Sequence, residues 1–475
     1  GSLIRNTSQL FLFSIIYNIL NFLWISIKIK KKEGITNFSR IINILFNVSS
    51  IIFLYPDLIA SDPILFYYGD DFFVVEAFRL MIYYQFIITL ILKLFESLSF
   101  GEVNFENTLF FNREIIKPVI QINIISFFIY HFLGYQFQNI FKGRASGLIG
   151  SFFKVSAYSG GLDSFFIVFN YFIQFTAVLG SLYALNFLLI KFVKKIRLNL
   201  VIKNISDLYK ILLFTITIVF YISGFLSDVR INLLYVILPV LILFSSLINS
   251  KSSDEFNNKF SLFDIQITKI ALLIFVLIIF ISISQIQVYR RGGIVGNFAQ
   301  RQGYEFTRKQ GFIQTDRNLY TLSELLKFSP SNGTEKGKII IRDIPYKFIP
   351  SLILPNKPRM SREIHRDFEN SILNNFSYEY NHTSVAFTFL GELIYAYGKN
   401  LGFFLAITFT SIIIFLNVLI LSVTSKSIFY PYINVSLLSI FFILTRSLTH
   451  YVVLFAPIIY SLFILMIYIK LKKYI

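Results

Sequence analysis

A series of apolar runs constrains this chain more than any other feature. Each is about the 20 residues needed to cross a bilayer as a helix. They fall near residues 8–27, 41–60, 75–97, 119–137, 164–190, 208–226, 231–248, 270–288, 401–422, 430–446 and 450–469. Hydrophobic residues make up 55% of the 475, aromatics 18% and charged residues 15%, with a mean hydropathy of +0.66. A soluble fold of this length has too little polar surface to cover so much apolar area. The reading is an all-α, polytopic integral membrane protein of about 11 transmembrane helices. Residues 1–288 carry the first eight, 289–400 form one large extracytoplasmic loop, and 401–475 carry the last three.

The net charge of +18 follows from that class. Cytoplasmic loops of membrane proteins collect Lys and Arg, and cationic segments face lipid headgroups. No remaining segment is large enough for a nucleic-acid reader, so no nucleic-acid partner is expected; the bilayer itself is one. Basic residues follow the first span (Lys28, Lys30, Lys31, Lys32) and the fifth (Lys194, Lys195, Arg197, Lys203), and they close the chain (Lys470, Lys472, Lys473). Eleven crossings put all three groups on one side, which is then cytoplasmic with the C-terminus. The segment Phe100 to Lys117 on that side reads as an amphipathic interfacial helix. The first span lacks a basic lead and a small-residue cleavage site, and it is expected to be a retained helix. Cysteine is absent, which removes disulfides, thiolate metal sites and thiol nucleophiles.

The long polar interval from about Tyr289 to Lys399 breaks the pattern of short connections. A loop of that length calls for a function, and its aromatic and aliphatic content is too high for a tether. Nine arginines lie between Arg290 and Arg366. With Arg144 and Arg230 on neighbouring outer connections, the candidate substrate-binding cations are Arg290, Arg291, Arg301, Arg342 and Arg359, with Arg362 and Arg366 beside them. Guanidinium pairs bidentately with phosphate and stays charged, so this population suits a lipid-linked diphosphate. A solvated face touching lipid headgroups is the plainer alternative.

Within the interval, IPSLILPNKP (Ile349 to Pro358) has three prolines that forbid a regular helix and pin Lys357. The apolar spacing of TSVAFTFLGELIYAYGKNLG (Thr383 to Gly402) suits a helix or a strand, and its place just before the ninth span favours a short helix at the outer surface leading into it, with Tyr395 among its aromatics. Its one acid, Glu392, is the first candidate general base, since a carboxylate near apolar surface has its pKa raised. Pairing with Lys399 or with an arginine is the alternative. His382 is the second candidate base, ahead of His365. The four histidines show no ligand spacing, so no metal and no cofactor is expected. On the outer connections, GRASGLIG surrounds Arg144 with small residues that let backbone approach a ligand, and Asp228 and Arg230 sit at a membrane boundary where they could pair.

Taken in order, these pieces resemble the bacterial O-antigen polymerases, the Wzy-type oligosaccharide repeat-unit polymerases related to the O-antigen ligase superfamily. GRASGLIGSFF (Gly143 to Phe153) looks like that family's arginine-and-glycine outer loop. SDVRINLLYVILPVLI (Ser227 to Ile242) looks like its arginine opening a span. IPSLILPNKP looks like its Pro-rich segment, with Ser351 where an arginine is often found. TSVAFTFLGELIYAYGKNLGFF looks like its Gly-Glu lead into the late helix. The recognisable motifs cover roughly 80 residues.

The resemblance implies a GT-C-like membrane glycosyltransferase, independent of metal, in the bacterial inner membrane with its large loop in the periplasm. Donor and acceptor would both be undecaprenyl-diphosphate-linked oligosaccharides, and a chain-length-regulating membrane protein would be a further partner. Arginines would neutralise the departing diphosphate while Glu392 or His382 accepts a sugar hydroxyl's proton. The related ligase shares the loop, but here Asn381, His382 and Thr383 do not give its His-Asn order. A lipid-linked glycan flippase is the alternative from another class; no internal repeat supports it.

Overall fold

The computed structural model describes residues 2–28, 38–59, 71–97, 113–132, 162–193, 206–226, 235–243, 318–328, 331–349, 354, 388–445 and 447–472. Every regular element among these residues is helical. In chain order the helices are α1 (Ser2–Lys28), α2 (Phe38–Ile59), α3 (Asp71–Ser97), α4 (Arg113–Phe132), α5 (Leu162–Val193), α6 (Asp207–Leu226) and α7 (235–243). Two helices and a 3-10 segment follow within the long polar interval: α8 (Asn318–Phe328), α9 (Glu335–Arg342) and Ile344–Phe348. The chain ends with α10 (Phe389–Tyr397), α11 (Lys399–Thr424), α12 (Tyr430–Phe441) and α13 (Leu448–Leu471).

Four of these are long and apolar enough to cross a membrane: Phe72–Ser97, Val168–Leu185, Lys399–Thr424 and Leu454–Leu471. Shorter apolar stretches occupy Gln9–Ile25 and Ser39–Val48. The run expected near 430–446 is α12 followed by a 3-10 turn over Phe442–Thr445. The run near 270–288 lies outside the described residues, as do 100–112. Arg113 to Lys117, read from sequence as the end of an interfacial helix, instead form the first turn of α4, because its apolar pattern continues without a break to Phe132.

Helices α3 and α11 run parallel. Lys399 Nζ meets Glu76 Oε1 at 2.5 Å near their first turns, and Phe95 meets Phe415 with ring centroids 6.2 Å apart further along. Between these points Tyr84 and Thr410 share a hydrogen bond of 2.5 Å. The other side of α3 packs on α1 and α2 through buried amides rather than apolar contacts alone. Asn21 and Asn43 exchange hydrogen bonds, and Asn47 Oδ1 accepts from Gln85 at 2.9 Å and Thr89 at 3.2 Å. In lipid, apolar surface gives helices little reason to associate, so such polar contacts hold them together. At the opposite end of α3 from Glu76, Arg40 of α2 pairs with Glu96, both nearly buried.

A second group joins α4, α5, α6, α12 and α13. Tyr171 of α5 donates to the Leu454 carbonyl of α13, and Tyr432 of α12 donates to Ser461 at 2.7 Å while its ring rests on Phe172 and Phe175.

The described helices of the polar interval are not surface appendages. Leu319, Leu322 and Leu325 recur at three-residue spacing along α8, and all are fully buried. They seat α8 against α2, α3 and α10, each worth about 2 kcal/mol relative to exposure in water. Helix α10 is likewise buried along eight of its nine residues. Helices α8, α9, α11 and α13 cover it.

Candidate functional site

Helix α10 starts from Thr388, which is extended (φ −66°, ψ 157°) and whose hydroxyl accepts the Gly391 N–H at 2.8 Å. That N-cap fixes the first turn and aims Glu392 at the start of α13. Ser447 Oγ donates to Glu392 Oε1 at 2.5 Å. The Thr449 N–H and hydroxyl donate to Oε2 at 3.1 and 3.3 Å. Ser447 and Thr449 flank the first residue of α13, so a carboxylate from another helix satisfies the donors left open at this terminus. The positive end of the helix dipole favours an anion there.

Glu392 is 2% exposed. Among the described residues its partners are hydroxyls and backbone amides, with no Lys or Arg paired to it. At nine residues α10 is too short to span a membrane. Burial raises the Glu392 pKa from 4.5 to about 7, the donors from Ser447, Thr449 and Leu448 pulling the other way. The result is a carboxyl able to take or give a proton near neutrality.

The alternative pairing of Glu392 with Lys399 is therefore corrected. Lys399 binds Glu76, whose second oxygen accepts from Arg79 Nη1 at 2.9 Å. The reason is Gly398, which breaks the helix between α10 and α11 with φ 80° and ψ 170°, so Lys399 opens a new helix pointing elsewhere. A side chain at Gly398 would collide with the Ser331 carbonyl oxygen, and one at Gly402 would come within 2.5 Å of the Leu393 carbonyl. The glycines of GELIYAYGKNLG are thus explained by close packing of α10. Tyr395, expected in the binding set, is buried at 9% exposure, and its carbonyl accepts both the N–H and the hydroxyl of Thr334 at 2.9 Å. That contact clamps α9 onto α10.

Arg342, the last residue of α9, has a side chain 72% exposed, with Nε 3.4 Å from Asp343 Oδ1. No described contact joins it to Glu392. His382, Arg144, Arg230, Arg290, Arg291, Arg301, Lys357 and Arg359 lie outside the described residues. Sequence reasoning missed Ser447 and Thr449, although a Ser-x-Thr at the head of an apolar run is an N-cap signature. It also missed Glu76 and Arg79, which look like isolated charges inside a span.

Comparison with protein-family models, with curated proteins and with solved structures returned no match. The chain is, on its own features, a helical membrane protein whose apolar helices reach membrane-spanning length.

Proposed function

We propose that this protein is a glycosyltransferase of the inner membrane that polymerises undecaprenyl-diphosphate-linked oligosaccharide repeat units. In this reading a sugar hydroxyl of the incoming repeat unit attacks the anomeric carbon of the growing chain. The new C–O bond forms as the bond to the diphosphate breaks, undecaprenyl diphosphate departs, and the hydroxyl proton passes to Glu392. The acceptor hydroxyl takes the place of the Ser447 hydroxyl on the carboxylate. Arginines of the periplasmic loop and of the two neighbouring outer connections neutralise the departing diphosphate, a stabilisation of developing charge. The C-terminus is cytoplasmic.

One observation carries this reading. Glu392 is a buried carboxyl with a pKa raised to about 7, held by neutral donors where the loop-borne helices meet the membrane helices. A general base works best with a pKa near the operating pH.

The test is a reaction in vesicles with a short undecaprenyl-diphosphate oligosaccharide, run with and without EDTA and read on a gel. A ladder at repeat-unit spacing, abolished by Glu392→Gln and unaffected by EDTA, is expected. Transfer to a lipid-A-core acceptor instead would assign the ligase reaction. Movement of the lipid between leaflets without transfer would assign a transporter.

A further inference from the structure

The 3-10 segment Ile344–Phe348 leaves aromatic surface uncovered beside a membrane helix. Pro345, Tyr346 and Phe348 are exposed, Tyr346 at 40% and Phe348 at 38%. Phe348 packs edge-on against Phe455 of α13, ring centroids 6.4 Å apart at 79°. Phe455 is the second residue of the membrane-spanning stretch Leu454–Leu471. Continuing along that face of α13 in steps of four come Ile459, Phe463 and Ile467, exposed at 46%, 62% and 42%. Residues four apart lie one above another on a helix. The surface that seats Phe348 therefore becomes, one turn further, the exposed apolar face of the span, which lipid tails cover.

The segment's backbone suits a poorly hydrated site. Pro345 has no N–H to satisfy, the Tyr346 N–H donates to the Asp343 carbonyl at 3.1 Å, and the Ile349 N–H donates to the Tyr346 carbonyl at 3.3 Å. Ile341 and Ile344 pack inward on the core and fix the segment in place. Four residues before Tyr346, the Arg342 guanidinium projects outward.

We infer that Ile344–Phe348 is a membrane foot, seated in the headgroup region of the leaflet at the N-terminal end of α13. Tyr346 and Phe348 lie at the interface, where amphipathic and aromatic rings concentrate. Arg342 pairs with lipid phosphate. The foot ties α9 to the bilayer plane and so fixes its height above the membrane and, through the contact of Thr334 with the Tyr395 carbonyl, that of α10. It stands whether or not the glycosyltransferase reading does.

The test uses tryptophan as a depth gauge. The chain has a single Trp, Trp24, so Trp24→Phe gives a silent background. Into it go Tyr346→Trp and, separately, Phe348→Trp. Tyr346 makes no ring contact with Phe455, so its variant keeps the test open if the packed position tolerates no change. Each protein is reconstituted into phosphatidylcholine–phosphatidylglycerol vesicles carrying lipids brominated at defined acyl positions. Blue-shifted emission, quenching strongest by bromines nearest the headgroup, and several-fold weaker quenching by iodide than free tryptophan are expected. Water-like emission with full iodide quenching and no bromolipid quenching in both variants would overturn the foot. Adding Arg342→Glu should move the reporter toward water in these anionic vesicles; an unchanged depth would overturn the phosphate contact.

Discussion

Ser447 donates its hydroxyl to Glu392 at 2.5 Å across 55 residues of chain. This contact joins the short helix that closes the long polar interval to the first turn of the last membrane helix. Glu392 thereby serves two ends at once: it completes a helix terminus, and it keeps a titratable group out of water.

The stability of the protein should depend on pH through this group. Its folded pKa of about 7 lies above the ordinary 4.5, so the folded state binds the proton more tightly than the unfolded state. Its contribution is fully present below about 4.5 and is lost as pH rises through about 7. Glu392→Gln removes the dependence. The stability difference between wild type and this variant should shift by roughly 3 kcal/mol in favour of Gln between those limits. Thermal melts in detergent at a series of pH values check it, and parallel curves would place Glu392 in water.

Removing one donor should weaken the same junction. Ser447→Ala leaves the carboxylate with fewer partners and should lower stability by about 1 kcal/mol. The pH midpoint of the effect should move upward, because the hydroxyl favours the charged form. An unchanged melting temperature and midpoint would mean that the contact does not form.

Gly398→Ala should be more damaging than its small size suggests. The residue sits at φ 80°, where an added Cβ is strained, and the Ser331 carbonyl blocks the space it needs. A loss of about 1–3 kcal/mol is expected, whereas Asn400→Ala on the exposed turn two residues on should stay within roughly 0.5 kcal/mol.

The parallel pairing of α3 and α11 can be checked covalently. The native chain has no cysteine, so Glu76→Cys with Lys399→Cys provides the sole thiol pair. A bifunctional thiol reagent long enough to replace the reach of the two lost side chains should cross-link it, a direct disulfide needing Cα atoms within about 7 Å, while Phe95→Cys with Lys399→Cys should not react. A charge swap, Glu76→Lys with Lys399→Glu, should recover part of the loss caused by either single reversal, a coupling of roughly 0.5–1 kcal/mol.

Much of the helical outline was legible in the sequence. The starts of α3, α6, α11 and α13 fall within a few residues of the apolar runs that mark them, because a membrane-length run has few alternatives to a helix. The short helix before the ninth span was legible from its place in the chain rather than from its periodicity, which suits a strand as well, and Glu392 stood out as its one acid. The partners of Glu392 were not legible. Local spacing favours Lys399, seven residues on, but Gly398 turns the chain, and the carboxylate meets residues 55 and 57 positions away. The glycines of the same motif are packing positions, which its spacing alone did not reveal.

Apolar length and charge pattern by themselves determined that this chain is helical and built for a membrane, since those properties are sums over local windows. Which side chains meet was decided only by the tertiary structure. Pairings such as Ser447 with Glu392, Lys399 with Glu76 and Thr334 with the Tyr395 carbonyl depend on how separately formed helices are stacked. No local propensity encodes that stacking; it follows from fitting buried polar groups to the donors and acceptors that a low-dielectric interior leaves them.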